Sequence, residues 1–252
     1  MSDCLKISQR GRVRRLTLNR PEMRNALNLE LCQALLAALK EADDDRKVGA
    51  ILLEGAGKVF CSGMDLKEVL EADAEAMLPV HQELFSVGTR LKTPMICAVH
   101  GAAIAGGLGL ALNGHWVIAA QGTKFGITEV RIGLWPFAIF EIVARTVGER
   151  RATQLALEAK VFDSERAATL GLVDEVVAAD SLDAHCAELA EGLSSLSGDA
   201  VRHGLEFVPR LLAGDPDAVV EGRRNCQATD DFKEGIAAFR EKRSPQWPSH
   251  QG

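Results

Sequence analysis

Residues 101–112, Gly-Ala-Ala-Ile-Ala-Gly-Gly-Leu-Gly-Leu-Ala-Leu, pass from a strand-like stretch through small residues directly into the start of a helix. A helix start leaves backbone N–H groups unpaired and carries a partial positive charge. Gly106 and Gly107 have no side chain to keep a ligand away from those groups. Two such donors aimed at a carbonyl oxygen stabilise an enolate, and losing one costs about 10²–10³ in rate. On its own, a Gly-Gly-x-Gly stretch is explained as readily by tight packing. It is not the Gly-x-Gly-x-x-Gly of a dinucleotide site, whose acidic partner about 20 residues on would have to be Glu129.

Working outward, the stretch sits in an alternation of strands and helices. Met95 to Val99 and His115 to Ala120 are compact apolar runs on either side of it, and Val48 to Leu53 is another. Arg12 to Asn19 alternates charged and apolar residues, as a half-buried strand does, and its arginines read as a solvent face. Asn28 caps a helix that sets Leu31, Leu35 and Leu39 on one face. The acidic run Asp43-Asp44-Asp45 reads as the solvated end of that helix, and Glu68 to Arg90 as a helix interrupted at Pro79. Ser164 to Leu170 is a short capped helix and Val173 to Val177 a strand, and from Asp183 onward the pattern is helical. This order defines an α/β core followed by a helical layer. The core spans residues 1–195 and the C-terminal helical region residues 196–252.

Composition narrows the function. The 252 residues carry a net charge of −6, which argues against general nucleic-acid binding. No apolar run approaches the roughly 20 residues of a membrane span, and residues 1–20 lack the apolar centre of a secretion signal. The six cysteines form neither a Cys-x-x-Cys pair nor a metal-ligand cluster, so reduced thiols in a cytoplasmic protein are expected. With no tyrosine present, acid–base chemistry falls to other side chains.

Five segments in order resemble the enoyl-CoA hydratase/isomerase (crotonase) family: Asn19 to Leu27, Phe60 to Leu66, Gly101 to Leu112, Phe125 to Leu134 and Phe232 to Arg243. The resemblance implies a spiral of ββα units with two sheets, and a C-terminal helical region that builds homotrimers or pairs them into hexamers. It implies an acyl-CoA substrate, with CoA arriving as part of the thioester and no metal or other cofactor. By position, the N–H groups of Met64 and Gly106 would form the oxyanion hole. Arg24, Ala26, Asp65, Leu66, Lys67 and Gly107 would lie against the substrate or its CoA, Arg24 and Lys67 being as readily plain surface charges.

One departure bears on the chemistry. The family's hydratases use two glutamates; the first falls where this chain has Gly109, and the second matches Glu129. A single glutamate suits the family's isomerases, which move a double bond from the 3 to the 2 position. Where relatives are Gly-rich, this chain has Trp135, Phe137 and Phe140, which implies a reshaped acyl pocket. Glu141 is a candidate replacement acid, though a surface ion pair explains it better; His81 is a lesser candidate, and His100 and His115 read as structural. Hydration proper, or acyl-CoA binding without turnover, are the alternatives.

Overall fold

The computed structural model describes residues 3–71 and 74–251. Its first sheet begins with β1 (Leu5–Arg10) and β2 (Val13–Leu18), an antiparallel hairpin turning at Gly11, whose φ of +55° suits glycine. The alternation at 12–19 marks β2 alone. After α1 (Leu29–Asp44) comes β3 (Ala50–Gly55), parallel to β2. Then follow α2 (Leu66–Glu71), α3 (Ala74–Leu84) and β4 (Met95–Val99). The helix expected over 68–90 is thus several pieces, with Pro79 inside α3.

Next are β5 (Ala102–Ile104), α4 (Gly106–Ala111), β6 (Trp116–Ala120) and β7 (Lys124–Gly126). The chain continues through α5 (Phe137–Val147), α6 (Glu149–Glu158), β8 (Val161–Asp163), α7 (Ser164–Leu170) and β9 (Glu175–Val177). It ends in α8 (Leu182–Ser194), α9 (Gly198–Leu212), α10 (Ala218–Ala228) and α11 (Asp230–Glu241). The strands form a six-stranded sheet, β1-β2-β3-β4-β6-β9, and a three-stranded sheet, β5-β7-β8.

The large sheet is parallel from β2 to β9 and covered on both faces, which is why its strands read as unbroken apolar runs. Leu16, Leu18, Ile51, Leu53, Cys97 and Val99 face the core shared with α1. The alternate residues Ala50, Leu52, Ile96, Ala98 and Ile118 pack on Leu182, Cys186 and Ala190 of α8. Asn28 caps α1 as expected, its side chain accepting from the Leu31 N–H at 3.1 Å.

Two charged positions differ from the sequence reading. Asp43 is buried, and its Oδ1 accepts from the N–H groups of Lys92 and Thr93, each at 2.8 Å. It thereby satisfies the backbone entering β4. Arg14 is also buried, and reaches Glu41 and Asp45 at the end of α1, each at 3.2 Å. Among the described residues no helix is long and apolar enough to cross a membrane.

Candidate active site

The site lies where three segments run side by side. Residues 61–65 are threaded between the loop at 24–27 and strand β5. The Cys61 N–H donates to the Ala102 carbonyl at 3.1 Å, and the Ile104 N–H to the Cys61 carbonyl at 3.1 Å. On the other side the Ser62 N–H donates to the Arg24 carbonyl at 3.0 Å, the Leu27 N–H to Gly63 at 2.8 Å, and the Asp65 N–H to Leu27 at 3.0 Å. Leu27 spends both backbone groups on residues 63 and 65, the pattern of a parallel bridge. The Met64 N–H therefore points away from Leu27.

Gly106 opens α4 directly after Ala105, which is held at φ 53°, ψ −123°. That is a conformation favouring glycine, and strain of this kind gathers at functional sites. The two segments approach closely: a Cβ on Gly63 would lie 3.4 Å from the Gly106 nitrogen, and one on Gly106 would lie 3.6 Å from Met64 Cγ. Met64 and Gly106 line one cavity of about 400 Å³, and among the described residues neither N–H has an acceptor.

Glu129 lines the same cavity, at the head of a 3-10 turn over Glu129–Ile132. Its Oε2 is buried and has no hydrogen-bond partner among the described residues. Burial pushes its carboxyl above the usual carboxylate range, partly offset by the backbone of Glu129 and Thr128. It is the only acid among the cavity's described lining residues. Trp135 and Phe137 also line the cavity. Trp135 is half-buried, and Phe137 is 77% exposed, at the rim instead of in the wall.

Several candidate residues stand elsewhere than the sequence suggests. Glu141 is turned out to solvent with 83% of its side chain exposed, 3.9 Å from Arg145 one helical turn on, and is no second acid for this cavity. Gly107 faces away from the cavity. A Cβ there would meet the Cys61 carbonyl oxygen at 2.2 Å, so its lack of a side chain serves backbone packing. The Asp65 carboxylate is buried against Arg20 at 3.0 Å, and Arg20 also donates to the Ala26 carbonyl. Asp65 thus braces the loop instead of meeting a ligand. Ala26 is buried, whereas Arg24, Leu66 and Lys67 are exposed beside it. His115 accepts from the Met95 N–H at 3.0 Å and His100 bonds the Gly57 carbonyl at 3.0 Å, both structural as expected.

Residues that the sequence reading passed over complete the site. At Gly109 a Cβ would meet Ile139 Cγ2 at 2.2 Å and Cβ at 2.8 Å, and Phe85 Cδ1 at 3.3 Å. Phe85 also stands 3.1 Å from the Cβ position of Gly106. Its signal was the four-residue spacing from His81, which sets both on one face of the α3 segment. Asn25, fully buried, ties the loop together: its side chain accepts from the Arg20 N–H and donates to the Ala56 and Val59 carbonyls, each at 2.9 Å.

A cavity lined by the Met64 and Gly106 segments, whose N–H groups are unpaired, and by one desolvated carboxylate, built between a six-stranded and a three-stranded sheet, has the parts that a class of enzymes uses to polarise a carbonyl and move a proton beside it. Comparison with known proteins makes the class specific. The family model for enoyl-CoA hydratase/isomerase matches residues 8–250, and the chain belongs to that family. A "probable enoyl-CoA hydratase echA8" of Mycobacterium leprae is 37% identical, over 97% of this chain and 98% of that protein. The 2,3-dehydroadipyl-CoA hydratase of Escherichia coli K12 is 31% identical, over 96% and 97%. An enoyl-CoA hydratase structure from Mycobacterium smegmatis superposes with a TM-score of 0.92 at 28% identity, covering 98% of this chain and 99% of that one. The fold is thus the crotonase fold.

Proposed function

We propose that this enzyme shifts the double bond of a 3-enoyl-CoA to the 2 position, with Glu129 as the only proton carrier. The ionised Glu129 takes a proton from C2, and the electrons of the C2–H bond move into the thioester carbonyl to give a dienolate. The Met64 and Gly106 N–H groups hold the oxygen on which that charge collects. Protonated Glu129 then returns the proton at C4, and the double bond settles between C2 and C3. The raised proton affinity of Glu129 suits both transfers. CoA enters with the substrate, and the scheme uses no metal or redox cofactor.

The observation that carries this reading is the filled space at Gly109. Ile139 and Phe85 stand where a first glutamate would project, which leaves Glu129 the sole acid lining the cavity. For the CoA portion we assign the exposed side chains of Arg24, Leu66 and Lys67, where Arg24 and Lys67 can meet phosphates. Backbone hydrogen bonds hold the two stretches that carry these side chains together beside Met64. Hydration is the second reading, favoured by the names of the relatives.

A paired assay of wild type and Glu129→Gln, following 3-enoyl-CoA isomerisation and 2-enoyl-CoA hydration, separates the readings. Isomerisation that dominates and falls about 10²–10⁴-fold in the variant is expected. Dominant hydration overturns it. Silence in both, with acyl-CoA still bound, indicates a binding role.

A further inference from the structure

His81 is a polar group that the proposed reaction does not use. The residue is 3% exposed, lines the cavity, and its Nε2 is fully buried without a hydrogen-bond partner among the described residues. A buried ring nitrogen left unpaired is costly. Its surroundings disfavour a charge: desolvation lowers its proton affinity, against an opposing pull from Glu68. It is therefore a neutral hydrogen-bonding group at neutral pH. Phe85, one turn on and 6.2 Å away between ring centroids, lies over Gly106 and Gly109 at the reacting end. His81 precedes Phe85 by one turn on this segment, and its neighbours in the cavity wall along α3 are Leu78 and Gln82.

Resting on the enoyl-CoA reading, we propose that His81 is a specificity-determining residue. Its Nε2 pairs with a neutral oxygen, a hydroxyl or a keto group, carried on the acyl chain beyond the reacting carbons. The substrate class is then oxygenated acyl thioesters and not plain hydrocarbon chains. A site built around a hydrogen-bonding group discriminates against a ligand lacking the partner, because the group stays buried and unpaired.

The test uses ω-hydroxy and methyl-terminated CoA thioesters of stepped chain length, with wild type, His81→Phe and His81→Gln. The kcat/KM on the 3-enoyl forms and the Kd of the saturated forms are both read, so the preference is measured even if the double-bond chemistry proves different. Wild type should favour the hydroxylated chain by about ten-fold or more at its best length. His81→Phe should erase that preference by weakening only the hydroxylated ligand, and His81→Gln should recover part of it. Equal handling of the two chains by wild type at every length overturns the proposal, whether or not the variants fold. An equal loss on both chains in His81→Phe, with an altered pH profile, also overturns it and makes His81 a proton-transfer group. Failure of isomerisation alone, with the Kd preference intact, counts against the proposed reaction and not against this role.

Discussion

Glu129 is held in surroundings that disfavour its charge, and that leaves a signature in stability as well as in rate. Its folded-state proton affinity lies above that of an unfolded glutamate, so the native state binds this proton more tightly. Stability from this group is then unpenalised in acid, where both states are protonated, and declines as pH rises from the unfolded value through the raised folded one. Glu129→Gln removes the charge without changing shape. The variant should melt at a higher Tm than wild type at neutral pH, and the gain should shrink towards zero below about pH 4, where unfolded carboxyls are protonated. Wild-type isomerisation, which needs the ionised form, should lose activity with falling pH from a point above the ordinary carboxylate range. Thermal melts and kcat/KM across one pH series check both, and a Tm difference that is flat or inverted with pH would show that the carboxylate is not desolvated. Glu129 was legible in the sequence because its segment keeps a familiar pattern. Partial burial of a glutamate there already implied a raised proton affinity, as found; which side chains line the cavity around it was not legible, since Phe85 and Ile139 come from other segments.

The packing of α4 against α5 decides what else this site can do. Gly109 allows the two helices to meet with Ile139 fully inside, and the contact closes the space a second acid would need. Restoring the acid alone should therefore fail. Gly109→Glu forces its Cβ into Ile139 and should cost about 1–3 kcal/mol in stability without raising hydration. Gly109→Glu combined with Ile139→Gly removes both clashing atoms, Cγ2 and Cβ, and hydration relative to isomerisation should rise by about 10²-fold if the acid is all that hydration lacks. Urea melts and the two assays read the outcome; hydration gained by the single substitution would mean that Ile139 yields easily. At this scale the sequence was a good guide to elements and a poor one to contacts. Apolar runs and Asn28 announced β3, β4, β6 and α1, because burial and capping are local pattern effects. Ile139, and the inward turns of Asp43 and Arg14, depend on which helix meets which strand, and no spacing records that. Glu141 followed the local rule instead, pairing with Arg145 four residues on.

For the whole molecule, the arrangement of α9, α10 and α11 poses a solvation problem that a single copy does not solve. The region is firmly anchored. Asp231, 1% exposed, accepts from the hydroxyls of Ser197 and Ser249, each at 2.6 Å, and Arg202 of α9 donates to Thr93 Oγ1 ahead of β4 at 3.1 Å. The expected boundary at 195/196 falls in the turn between α8 and α9, and the Arg202–Thr93 contact crosses it. Yet Phe239 is 84% exposed and Leu212 75%, with Val219, Val220 and Ile236 also open to solvent. Exposed apolar side chains on anchored helices mark candidate interaction surface, and we propose that other copies of this chain cover it, in a homotrimer or a pair of trimers. A stable interface needs about 800 Å² from each partner. Sedimentation of the wild type at micromolar concentration should give three or six copies. Leu212→Glu with Phe239→Glu places charges on two different helices of the face, where desolvating them opposes association, and should shift the population towards single copies with the fold intact by circular dichroism. A wild type that sediments as a monomer, or a double variant that assembles unchanged, would place the contacts between copies elsewhere on the molecule.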